Sequence, residues 1–240
     1  MGRINCFIPF ASQAQVQATV NELKANELVN KIYLLAGAEA QGCVDGCEVI
    51  KVNNLTSTAT LKAIAEKADA DYALVYTKYV NLKFAPFALK RFVTLADDSH
   101  AGRLYSDHYN VSDKGAEKAP VIDYQFGALR DDFDFGSVLL FCSCCLKKAV
   151  AALKSEYEFA GLYDVRLKLS QFAEICHINE FLYSDVELDT RKSGEKIFDY
   201  VDPRNRGRQI EMEAACTEHL KEKGGYLPPV KEDGTLNFKH

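Results

Sequence analysis

Ile4-Asn5-Cys6-Phe7-Ile8-Pro9-Phe10 is a short apolar run punctuated by Pro9, as a buried strand leading into a loop is. The segments downstream of this strand decide the fold. Val16, Val20 and Leu23 recur at helical spacing in a segment rich in Gln, Glu, Lys and Ala, which predicts a helix over residues 13–29. Lys31 to Leu35 and Glu48 to Val52 read as two further strands, bounded by Gly or Asn. Ser57 and Thr58 are candidate N-caps for a helix with Leu61, Ile64, Ala65 and Ala68 on one face, and Tyr72 to Thr77 supplies a fourth strand. Strand, helix, strand, strand, helix, strand is the order of an α/β domain with a mostly parallel central sheet covered by helices.

Outward from this core, Pro86 is placed to open a helix whose Leu89, Phe92, Val93 and Ala96 share a face. Gly102 to Tyr109 reads as a fifth strand, residues 110–127 as a polar stretch with turn residues, and Ser137 to Cys142 as another buried run. Leu146, Ala149, Val150 and Leu153 mark a helix, and residues 161–170 and 175–183 complete the core. Residues 184–209 turn charged and carry Gly194, Pro203 and Gly207, so a long loop is expected before a last amphipathic helix with Met212, Ala215, Cys216 and Leu220. The expected organisation is a core over 1–183, a loop and packing helix over 184–226, and a tail or linker over 227–240.

A chain of 240 residues with 48% hydrophobic composition is long and apolar enough to bury one large core. The 29 basic residues against 34 acidic ones, without a basic block, argue against nucleic acid as a partner. Met1 to Phe10 lacks the apolar stretch of a signal peptide, and no run is long enough to span a bilayer, so the expectation is a cytoplasmic protein with peripheral membrane contact left open. Cys142 and Cys145 have the spacing of a metal or redox pair, and Cys43 and Cys47 sit four apart. With no His at zinc-finger spacing after them, the eight cysteines are expected to be reduced, buried thiols.

The residues also carry a resemblance. The opening run ending at Pro9 resembles the first strand of family 2 glycosyltransferases, which leads into the nucleotide-binding loop. Leu104-Tyr105-Ser106-Asp107 is similar to the strand and Tyr-Ser-Asp turn of many members. Gly161-Leu162-Tyr163-Asp164-Val165-Arg166-Leu167 resembles a variant of the acidic motif opening the acceptor-side helix, and Ile175 to Tyr183 the segment ending in Leu-Tyr after it. Order and spacing agree over residues 4–183. The resemblance implies an α/β GT-A fold, that of the nucleotide-diphospho-sugar transferases, built as a three-layer sandwich. Two departures stand out. Thr77-Lys78-Tyr79-Val80-Asn81 occupies the place of the Asp-x-Asp motif that holds Mg²⁺ or Mn²⁺, and Ala36-Gly37-Ala38 lacks the aspartate expected for the base. Weak or no dependence on a divalent cation is therefore expected, with no metal ligands assigned.

The implied activity is transfer of a sugar from a nucleoside diphosphate to a hydroxyl of a glycan or lipid-linked acceptor. The alternative is an inactive GT-A-like binding or interaction domain, possibly one that precedes a second transferase domain. Asp164 matches the general base, against an N-cap or a salt bridge to Arg166. Lys78 offers a cation for the departing diphosphate, against an exposed strand-end lysine, and Asn81 a phosphate or ribose contact. Pro9, Phe10, Ala11 and Asn53 complete the expected donor wall. Asp107 is read as a turn residue or as a cation ligand with His108, and Asp134 as part of a sugar-contacting wall or a solvated loop acid. His177 is read as a hydrogen-bonded structural histidine or a phosphate contact.

Overall fold

The computed structural model describes residues 1–40, 42–186 and 206–228. Its order is β1 Ile4–Phe10, α1 Gln13–Lys24, β2 Val29–Ala36, β3 Glu48–Lys51, α2 Thr58–Lys67, β4 Tyr72–Tyr76, β5 Asn81–Phe84, α3 Ala88–Ser99, β6 Arg103–Ser112, β7 Gly115–Ala119, β8 Val138–Cys142, α4 Ser143–Ala151, α5 Gly161–Leu169, β9 Ile175–Val186 and α6 Arg206–Glu222. The strands form one sheet in the order β3-β2-β1-β4-β8-β6-β9-β5, with β7 paired to β6.

The sheet is mixed, which corrects the mostly parallel expectation. β1 to β4 pair in parallel, as β6 and β9 do, but β8 runs antiparallel between β4 and β6, and β5 and β7 are antiparallel to their neighbours. The periodicity of Val138 to Phe141 marks a buried strand, but direction comes from the path of the chain, which periodicity does not record. Helices cover both faces. Val16, Val20 and Leu23 of α1 and Leu89, Phe92 and Val93 of α3 pack with Ile8, Leu34 and Leu74 on one face. Leu61 and Ile64 of α2, Leu146 and Ala149 of α4, and Val165 and Leu169 of α5 pack with Phe7, Val75 and Phe141 on the other. Each large apolar side chain buried this way contributes about 1.5–3 kcal/mol.

Several boundaries move for local reasons. α1 stops at Lys24, because Ala25 caps it and the Asn26 side chain accepts from the Leu28 N–H in a turn. Ser57 caps α2 by accepting from the Thr60 N–H. Pro86 does not open α3, which begins at Ala88 after Phe87 in the left-handed region. Within the polar stretch, β6 continues to Ser112 and turns at Gly115 into β7, whose exposed side chains left no apolar alternation to read. β9 continues to Val186, three residues beyond the predicted end of the core. Of the loop expected over 184–209, residues 184–186 belong to β9 and 206–209 to α6, while 187–205 lie outside the described residues, as does the expected tail from 229 onward.

Arg103 and Arg166 are both buried, an arrangement that the sequence did not suggest. The Arg103 guanidinium lies 3.8 Å from the Phe135 ring centroid, and that of Arg166 lies 4.7 Å from the Tyr163 ring. Burial first, then the neighbouring Arg166 charge, lowers the Arg103 pKa to about 9. The rings offset part of that cost, and Phe135 packs with Phe133 on the α2, α4 and α5 face of the sheet.

Candidate functional site

The carboxyl ends of the co-directional strands lie along one edge of the sheet. In the register of β1 to β3, Phe10 stands beside Ala36 and Ala36 beside Lys51, so Ala11, Gly37 and Asn53 succeed one another along that edge. Lys78 continues it beyond β4, where the Thr77 N–H bonds the Ser137 carbonyl. The expected donor wall of Pro9, Phe10, Ala11, Asn53 and Lys78 therefore shares an edge, although Pro9 and Phe10 are themselves buried in β1. Ala11 is exposed, and its N–H donates to Gln15. Asn53 is exposed at a depression of about 450 Å³ shared with Lys51, Tyr157 and Glu211. Asn81 begins β5, and its side-chain oxygen accepts from the Thr19 hydroxyl at 2.7 Å.

Two carboxylate-centred clusters occupy the β6–β9 part of the edge, and strand alternation puts them on opposite faces of the sheet. On the α1 and α3 face, Asp185 is fully buried. Its carboxylate accepts from Lys78 Nζ at 2.6 Å, from the Tyr76 hydroxyl at 2.9 Å and from Ser137 Oγ at 2.7 Å. His108 Nε2 stands 3.8 Å from the same carboxylate, and its ring stacks on Tyr183. Burial outweighs the pull of Asp185 and lowers the His108 pKa. Tyr183 in turn accepts from the Ser137 N–H at 2.7 Å. Asp134 accepts from the Gly136 N–H at 2.8 Å and so holds the turn that leads to Ser137.

On the other face, Asp107 accepts from the Val121 N–H at 2.9 Å and meets His177 Nε2 at 2.9 Å. His177 Nδ1 stands 2.7 Å from the exposed Asp123, and its ring stacks on Tyr105. Asp107 thus fastens the segment after β7 to the sheet instead of capping its own turn. His177 meets a carboxylate at both ring nitrogens.

Asp164 stands apart from both clusters. It lies in the first turn of α5, is fully buried, and neither carboxylate oxygen has a hydrogen-bond partner. Burial raises its pKa to about 6 against the opposing pull of Lys168, while Glu218 and Glu222 of α6 push the same way as burial. α6 packs Met212 and Ala215 against Tyr163 and Leu167, and its Glu211 accepts from the Phe159 and Ala160 N–H groups just before α5. Neither an N-cap bond nor a pair with Arg166 accounts for Asp164.

Asp185, Tyr76, Ser137, Tyr183 and Asp123 are the residues that sequence reading missed here. The apolar alternation of residues 175–183 running on into Ser184-Asp185-Val186 was the one available signal. The hard-cation site typical of the resembled family does not fit the residues present. Lys78 puts an ammonium on the buried Asp185, whose oxygens are further taken by two hydroxyls, and Mg²⁺ or Mn²⁺ would have to displace that charge. Among the described residues, the one group of three side chains close enough to share an ion is of cysteines, at the other end of the sheet. No described helix is long and apolar enough to cross a membrane.

No family model matches the sequence, and no curated protein matches it. Solved structures do match the fold. S. aureus TarS residues 1–349 in complex with UDP-GlcNAc aligns with a TM-score of 0.62 at 12% identity, over 91% of this chain and 66% of that one. The complex of the same protein with UDP gives 0.61 at 12% identity, over 91% and 65%. TarS 1–349 without a named ligand gives 0.57 at 13% identity, over 77% and 60%, so this chain spans less than two thirds of each. At such identity the likeness is one of fold, and the α/β architecture of this chain, with its mixed sheet, is similar to that of TarS.

Proposed function

We propose that this chain is a glycosyltransferase domain that moves a sugar from a nucleoside diphosphate to a hydroxyl of a glycan or lipid-linked acceptor. The observation that carries the reading is the edge formed by Ala11, Gly37, Asn53 and Lys78, in a fold whose neighbours were solved with UDP and UDP-GlcNAc. Open α/β sheets take ligands outside the carboxyl ends of their strands. The nucleotide lies over β1 to β3, and the diphosphate lies toward Lys78, a half-buried cation of the edge. Lys78 shares its charge between Asp185 and the departing phosphate, and so supplies the electrostatic stabilisation that a metal gives elsewhere.

Asp164 is the proposed base. A carboxyl group at about 6 is ionised at neutral pH yet more basic than an ordinary carboxylate, which suits proton removal from an attacking hydroxyl. An acceptor reaches it only when the cover of α6 shifts. Replacing Asp164 with Asn removes sugar transfer while calorimetry shows donor binding nearly unchanged; retained turnover in a variant that still binds donor refutes the assignment. The sealed position of Asp164 and the Lys78–Asp185 pair favour a second reading, a binding module without transferase activity. Failure of the wild type to bind any of a panel of nucleotide sugars decides for the module.

A further inference from the structure

β8 passes into α4 without a loop. The Cys142 N–H bonds the Gly102 carbonyl and the Ser143 N–H bonds the Asp71 carbonyl, so the backbone of this junction is pinned on both sides. Cys142 is the N-cap of α4, and Cys144 and Cys145 lie in its first turn. All three are free thiols, and their sulfur atoms lie within 4.8 Å of one another, with Cys142 and Cys144 at 3.0 Å and Cys144 and Cys145 at 3.9 Å. Three thiolates on one metal at a bond length of about 2.3 Å stand about 3.8 Å apart, so small side-chain rotations bring these sulfurs to that spacing. Cys144 is exposed and the other two are half-buried, which leaves the group open to an incoming ion.

We propose that Cys142, Cys144 and Cys145 form a three-thiolate site for one soft d¹⁰ cation, of the zinc(II) or copper(I) kind. The backbone N–H groups of the first turn of α4 have no partner within the helix and, with the helix dipole, favour negative charge on the N-cap sulfur of Cys142. Cys142 and Cys144 open onto a depression of about 680 Å³ that Asp69, Asp71 and Asp97 also line, together with Lys147 and Met1, and with Asp69 already paired to Lys31 the carboxylates of Asp71 and Asp97 remain where a cation approaches. Sulfur ligands select soft ions over Mg²⁺ or Mn²⁺. Binding displaces the thiol protons to solvent and leaves a fourth position open to water. Tyr72 pairs with Cys142 at the start of β4, whereas Lys78 lies just past the end of that strand. The thiolate site and the proposed donor site thus occupy opposite ends of the sheet, and neither depends on the other.

The test is anaerobic titration of the reduced full chain with Cd²⁺ as spectroscopic probe, and with Zn²⁺ and Cu⁺ in separate arms to identify the preferred ion. One equivalent of Cd²⁺ with sulfur-to-metal charge-transfer absorption is expected. Cys144→Ser, an exposed change, weakens uptake by about 10- to 100-fold with an unchanged circular dichroism spectrum. Cys43→Ser/Cys47→Ser retains it. Absence of a thiolate band at one equivalent overturns the site, as does uptake that survives Cys144→Ser but is lost in the Cys43/Cys47 variant. A Cys142–Cys144 disulfide formed on mild oxidation, in a protein whose reduced form takes up no metal, assigns the cluster to redox chemistry instead and overturns it too.

Discussion

Asp164 is buried without a partner and titrates near 6 instead of the ordinary 3.8. Between those two values the folded chain keeps a proton that the unfolded chain has released, so stability falls as pH rises through that window. The fall amounts to about 3 kcal/mol, absent below the window and fully present above it. Asp164→Asn cannot ionise, so the difference in unfolding free energy between variant and wild type should rise from pH 4 to pH 6; urea titrations at those two pH values measure it, and a flat difference means that the carboxyl is not desolvated. Lys78 and Asp185 pose the complementary problem of a charge held by its partner. Lys78→Met leaves the Asp185 carboxylate buried on its hydroxyl donors and should cost about 1–3 kcal/mol. Adding Asp185→Asn should recover part of that loss in a double-mutant cycle. Additive costs would show that the ion pair contributes nothing.

The junctions between elements set the geometry of the edge. α5 approaches α2 so closely that a methyl group on Gly161 would overlap the Thr58 backbone nitrogen and stand 2.7 Å from Thr58 Cα. The Leu162 N–H also bonds the Thr56 carbonyl, so the start of α5 is tied to the cap of α2. Backbone yields less than a side chain, and Gly161→Ala should therefore destabilise by about 1–3 kcal/mol or more. Chemical denaturation checks this, and a neutral Gly161→Ala would show that the two helices are not docked at this distance. Gly136 is constrained twice, by a positive φ of 68° and by the Tyr183 hydroxyl, which stands where a Cβ would lie. This glycine brings Ser137 onto Asp185, and its need was not readable from Asp134-Phe135-Gly136 alone.

For the molecule as a whole, the balance of charge at the edge predicts how a nucleotide sugar binds. Lys78 already supplies the cation beside Asp185, so affinity for UDP-GlcNAc, if that donor binds, should change little between chelator and Mn²⁺. Calorimetry with and without the ion decides, and a large gain with Mn²⁺ that Asp107→Ala abolishes would place Asp107 at the phosphates instead. The eight cysteines are free, but Cys6 is the buried one among them, so the expectation of buried thiols holds for that residue and fails for the other seven. By itself, the sequence determined the first four strands, the helices between them and their buried faces, because apolar period and capping residues act within a few positions of one another. It also placed Lys78 just past a strand end, whereas Asp107, read at a strand-to-turn junction, lies within β6 and His177 within β9. Only the tertiary structure decided that β8 runs antiparallel, that Asp185 rather than solvent receives Lys78, that His177 lies between Asp107 and Asp123, and that α6 closes over Asp164. Those partners are separated by about 50 to 110 residues along the chain, and no local pattern encodes which distant side chain will neutralise a charge once both are withdrawn from water.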